Sequence, residues 1–315
     1  MNRVLIAALA CGLAITPVAH GGNAIPGTGT EEERLPWFFH DVINPSHSAE
    51  QRESELVLVI READEGGRTA AMLLGRLYFM GDSHPANPAA RDLERAEHYL
   101  QIALTSGDLE SMLWLAELEL AKRRPLEAAI WAQSYIQLRQ EPEEGEGATG
   151  YIPSLLARIE RSPGGSRIDK EALEEYVAGF VQTHGDRLRE AAEGPDHRGT
   201  GWAKVWSDME RPECNVAERL SVDTRVHEPR RSPGGLTFRS GTRLSSSGRA
   251  LFLIRIRTDG SVSDAMLVSS LPDVEYGMRV KPTALSMKFN EVPSDCRTRW
   301  GLAPITLINS LDRIR

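Results

Sequence analysis

Apolar positions recur every three or four residues through the first two-thirds of this chain and every second residue near its end, so the sequence predicts helices followed by a small sheet. Ala49 to Ala63 reads as a helix, and Asp169 caps another that runs to Phe180. Between them lies a self-similarity of period 41: Gly66, Ala70, Leu74, Gly75 and Leu77 return as Gly107, Ser111, Leu115, Ala116 and Leu118. Ala96, Tyr99 and Ala103 return 32 residues on as Ala128, Trp131 and Tyr135, because the long loop Gly81 to Arg91 gives way to the tight turn Lys122-Arg123-Arg124-Pro125. Small residues stand where two helices must approach closely, which makes each unit a helix-turn-helix hairpin. One hairpin cannot bury its apolar stripe alone, so hairpins stack into a solenoid.

The residues Gly66, Ala70, Leu74-Gly75, Leu77-Tyr78 and Gly81, followed by Asp92, Arg95-Ala96, Tyr99, Ala103 and Gly107, resemble the Sel-one-like repeat of the tetratricopeptide class over about residues 50–140. That resemblance implies a scaffold whose concave face binds other proteins. Beyond Gly194-Pro195-Asp196-His197-Arg198-Gly199 the pattern changes. Trp202 and Trp206 mark a short helix docked on a core. Leu251 to Ile256 and Val262 to Val268 read as two strands meeting at a turn around Asp259-Gly260, with Arg255 and Arg257 on the solvent face. Pro282 to Phe289 reads as a short helix and Ala303 to Ile308 as a last strand. So small a sheet leaves an edge open to a partner strand.

The run Ile254-x-Ile256-x-x-Asp259-Gly260-x-Val262-x-Asp264-x-x-Leu267-Val268-Ser269-Ser270, with Ala284-Leu285 and Lys288-Phe289 after it, resembles the TonB C-terminal domain over about residues 225–310. The fold expected is therefore multidomain: an all-α helical-repeat solenoid over 25–200 and a small α+β domain over 201–315, with a short antiparallel sheet and one helix.

Met1-Asn2-Arg3 and the uncharged stretch Val4 to Ala19 form a secretory signal ending near Ala24. No apolar run is long enough to span a bilayer. The two halves carry opposite charge: residues 25–200 hold 18 basic and 32 acidic groups, residues 201–315 hold 18 and 13. Pro229 to Thr258 has seven arginines and no acid. In an exported protein such a face meets acidic protein, anionic envelope polymer or the acidic half of its own chain rather than nucleic acid. With Cys11 in the leader, Cys214 and Cys296 remain as a candidate disulfide.

Catalytic chemistry is sparse. Nucleophile elbow, zinc-protease helix and phosphate-binding loop are absent, and the histidines show no ligand spacing. The lone Gly145-x-Gly147-x-x-Gly150 sits among acids, no strand precedes it, and Tyr151-Ile152-Pro153 opens a helix poorly. The expectation is a non-enzymatic periplasmic adaptor of a Gram-negative cell, with no cofactor and no metal, which binds envelope proteins or their extended segments. Its candidate contact residues are Arg249, Arg255, Arg257, Ile305, Thr306, Leu307 and Ile308. Two alternatives are a membrane-tethered relative of the TonB energy transducers, and a cell-wall enzyme with a site between the halves that uses His184 or His197.

Overall fold

The computed structural model describes residues 38–139, 148–194, 230–232, 235–237, 243–244, 247–289 and 300–307, all within one compact unit, Leu35–Arg315. The signal, the acidic run from Glu141 to Gly147, Trp202, Trp206, His197, Ile308 and both candidate disulfide cysteines lie outside the described residues. Among those described, no helix is long and apolar enough to cross a membrane.

The protein is mostly helical with a small antiparallel sheet. Helix α1 (Phe38–Ile43) leads into α2 (Ala49–Asp64), which opens on a capping box: the Ser48 hydroxyl accepts from the Gln51 amide and the Gln51 side chain accepts from the Ser48 amide. Helices α3 (Arg68–Met80) and α4 (Leu93–Thr105) form one hairpin, α5 (Ser111–Ala121) and α6 (Pro125–Leu138) the next, and α4 packs on α5. Asp92 caps α4 by accepting from the Glu94 and Arg95 amides at 3.0 Å, and Pro125 occupies the first turn of α6, where its missing N–H costs nothing. Gly66 and Gly107, equated by the 41-residue period, both have left-handed backbone, with φ of 90° and 104°.

Helices α3 and α5 lose the one-sided pattern of a surface helix. Residues 69–80 of α3 and 111–119 of α5 are all buried, as expected for helices packed on every side. Leu74, Leu77, Leu100, Leu113, Leu115 and Leu118 form the centre of this core. The two hairpins differ at the aromatic position. Tyr78 stacks on Tyr99 with ring centroids 5.8 Å apart. Its counterpart Glu119, also buried, faces Arg124 at 3.6 Å, and burial pushes its carboxyl above the usual range. Trp131 turns instead to Phe180 of α8 (Lys170–Glu193), 5.4 Å away.

Residues 148–161 correct one expectation. Despite Pro153 they form a helix, α7 (Ala148–Arg161), because Tyr151, Leu155 and Ile159 bury a continuous stripe. Tyr151 donates its hydroxyl proton to the buried Glu117 of α5, and Arg158 forks onto Glu117 and, at 3.0 Å, onto the Tyr151 hydroxyl. Burial and the charge of Asp273 push the Glu117 carboxyl well up.

A small sheet, β1 (Arg230–Ser232), β2 (Gly235–Thr237) and β3 (Arg243–Leu244), precedes the larger one. The latter has the order β5-β4-β6, from β4 (Gly248–Ile256), β5 (Val262–Leu271) and β6 (Trp300–Leu307), with all pairs antiparallel. The β4–β5 hairpin closes through the expected Asp-Gly turn, where Gly260 has φ of 75° and the Asp259 carboxylate accepts from the Ser261 amide at 2.9 Å. The helix expected at Pro282 to Phe289 instead spans α9 (Val274–Leu285). Its start is Asp273, whose side chain accepts from the Tyr276 amide at 2.8 Å; Pro282 falls near its end rather than in its first turn.

Substituting Gly107→Ala places a Cβ 2.2 Å from the Ala191 carbonyl oxygen of α8 and strains a left-handed residue. A loss of about 2 kcal/mol is expected, measured as a lowered thermal midpoint.

Candidate functional site

The sheet presents two different faces. Helix α9 covers one, with Gly277 against the side chains of Leu267 and Ser270. Strand alternation puts Arg249, Leu251 and Ser269 on the other, which meets the inner helices α3 and α5 and also α7. The inner helices α3 and α5 therefore meet the protein's own sheet.

One carboxylate joins the halves. Glu110, just before α5, receives Arg76 of α3 at 3.2 Å and Arg249 of β4 at 3.1 Å on the same oxygen, Oε1. Arg76 has only 4% of its side chain exposed; it also donates to the Ser269 hydroxyl at 3.2 Å and lies 5.1 Å from the centre of the Trp114 ring. A guanidinium so desolvated needs a counter-charge. Burial raises the Glu110 carboxyl, but Arg249 and Arg76 outweigh it and leave the group below the usual carboxylate range. Its neighbour Asp108 goes the other way. Burial pushes Asp108 up, against the pull of Arg76, while it accepts from the Ser111 hydroxyl at 2.6 Å. Beside these groups the seam holds a partly open pocket of about 310 Å³.

A second contact reaches the β5 edge of the sheet. His84, in the loop after α3, is buried; its Nε2 donates to the Leu267 carbonyl of β5 at 2.8 Å and its Nδ1 accepts from the Ala86 amide at 3.3 Å. Both ring nitrogens are used, so the neutral Nε2–H tautomer is held, and burial keeps the imidazole pKa below its ordinary value.

This bond also reveals the polarity of the opposite edge. A Leu267 carbonyl that reaches His84 points away from β4, so Phe252, its partner, turns its amide and carbonyl toward Ala303 of β6. Alternation then turns Leu302, Pro304 and Thr306 outward. Leu302 and Thr306 turn both backbone groups away from β4, and Pro304, which has no N–H, turns only its carbonyl. Among the described residues β6 bonds to β4 alone.

The residues singled out from the sequence are thus divided. Arg249 is partly buried in the seam and bound to Glu110. Arg255 and Arg257 lie exposed on the hairpin, as their alternation with Ile254 and Ile256 predicts. Ile305 is buried, and Thr306 and Leu307 belong to the edge strand. His184 sits on α8 with its ring 5.0 Å from that of Phe180. Sequence reasoning missed Arg76, Glu110 and His84, which carry no local motif; of the three only Arg76 stands out, as a charge within the apolar run Leu73 to Met80. Comparison with known proteins gives no matching family model, no similar curated protein and no similar solved structure.

Two outcomes follow. Glu110→Gln leaves Arg76 without its anion and lowers stability by about 2 kcal/mol in urea unfolding, and a double-mutant cycle with Arg249→Met gives a coupling above about 0.5 kcal/mol. Because the His84 pKa is lower folded than unfolded, its contribution is complete above the ordinary histidine range and is lost as pH falls below it. Urea midpoints followed downward from pH 7 should decline in the native protein and lose that component of the decline in His84→Gln.

Proposed function

We propose that the protein is a non-catalytic adaptor of the Gram-negative cell envelope, exported by its leader, in which stacked Sel-one-like hairpins cradle a TonB-like sheet that accepts an extended segment of a partner protein at β6. The observation that carries this reading is the asymmetry of the two edges: His84 occupies an outward carbonyl of β5, whereas β6 bonds only to β4 among the described residues. Strand addition uses outward backbone groups, which Leu302 and Thr306 supply in full. Pro304 leaves a gap between them, and such a gap limits indiscriminate edge pairing. A guest is therefore held at two rungs separated by a missing donor. Exposed Arg255 and Arg257 at the far end of β4 favour an acidic guest.

The test uses the full chain with a photo-crosslinking residue at Leu302 in a Gram-negative host. A discrete adduct is expected, and Thr306→Pro should reduce it at least tenfold while the thermal midpoint stays close to that of the parent, because residue 306 turns its amide away from β4. No adduct, or an adduct indifferent to Thr306→Pro, sinks the reading.

A further inference from the structure

Helix α2 keeps one side in solvent. Val59 and Ala63 are buried where it packs on α1 and α3. The opposite side carries Glu50, Glu53, Ser54, Val57, Arg61 and Asp64, all exposed and three or four residues apart, so they line one face. Val57 stands at the middle of that face. It is 63% exposed, the most of any large hydrophobic residue among those described, and Leu58 next to it is 38% exposed.

Two observations say what covers this face. The first is unmet charge. Glu53 and Arg61 stand one turn before and one turn after Val57, and neither side chain has a hydrogen-bond or ion-pair partner among the described residues. The helix between them rises roughly 12 Å, too far for a pair within α2. The second is symmetry. A two-fold axis through Val57 lays a second α2 antiparallel on the first, with Val57 against Val57. The same operation carries Glu53 of each copy to Arg61 of the other, because the two lie equally far from the axis on opposite sides. One operation thus covers the apolar centre and pairs both charges. A partner of another sequence would have to supply an anion, an apolar side chain and a cation in that order, and this chain already carries them. We propose that the exposed face of α2 is the contact surface for a second copy of this chain, an isologous dimer interface with Val57 on its axis.

The rest of the face limits the geometry. Glu50 and Asp64, seven residues from the axis, would meet like for like in two helices running side by side. A crossing of about 50°, the commonest inclination in helix packing, parts them while the long side chains of Glu53 and Arg61 still reach. Contact confined to roughly one turn on either side of the axis is a small interface, so the dimer is weak and reversible.

Sedimentation equilibrium of the full chain tests the proposal, in reducing buffer so that no intermolecular disulfide contributes. A monomer–dimer equilibrium with Kd below about 300 µM is expected. Val57→Asp should raise Kd at least tenfold. So should Glu53→Arg alone and Arg61→Glu alone, because each sets like charges together at both ends of the contact. An equimolar mixture of those two charge variants should associate at least tenfold more tightly than either alone, since both pairs are restored between unlike copies. The three positions are exposed, so the thermal midpoints stay close to that of the parent. A chain still monomeric at about 0.5 mM overturns the proposal. So does a dimer indifferent to Val57→Asp, or a mixture of the charge variants that associates no more tightly than its components. Strand addition at β6 uses none of these residues, so a crosslinked guest with a monomeric chain, or a dimer without an adduct, separates the two readings.

Discussion

The arrangement of this protein turns on a buried cation. Arg76 lies inside the helical layer with almost none of its side chain in water, and a guanidinium in that position is tolerable only beside an anion and additional acceptors. Glu110 provides the anion, Ser269 a further acceptor and Trp114 a π face. Because Glu110 is shared with Arg249, the group that neutralises the helical layer also fastens the sheet to it. Remove the sheet, and Arg76 loses Ser269 while Glu110 loses its second cation. The opposite charges of the two halves are consequently spent in part on each other.

The same docking makes the two edges of the sheet unequal. On the β5 side the loop after α3 brings a neutral histidine to a backbone carbonyl, a role that a protonated ring could not fill while also accepting from Ala86. On the β6 side the outward backbone groups are interrupted only by Pro304. The long loop between α3 and α4 thus carries a contact to the sheet. The two hairpins also differ at the aromatic position: Glu119 answers to Lys122 and Arg124 of the tight turn between α5 and α6, whereas Tyr78 answers to Tyr99.

Much of the local structure was legible because local physics decides it. The cap at Asp169 and the Asp-Gly turn are short-range hydrogen-bond and dihedral effects, and both stand where the pattern puts them. The helix at 274–285 was misplaced because a proline can mark a helix start and can also sit near a helix end, and only the competing cap at Asp273 separates the two. Helix α7 was missed for a similar reason: the burial of Tyr151, Leu155 and Ile159 outweighs Pro153.

By itself the sequence determined the helical hairpins, the strand hairpin, the exposure of Arg255 and Arg257, and the opposite charge of the two halves, since each follows from spacing within one element or from a count. Only the tertiary structure decided that Arg249 is covered while Arg255, on the same face of β4, is exposed, that Arg76 and Glu110 belong together, and that His84 takes up a carbonyl on one rim of the sheet. Those partners are 34, 139 and 183 residues apart. Desolvation and shared counter-charge act through space, and nothing in the spacing along a chain records which distant groups will be taken out of water side by side.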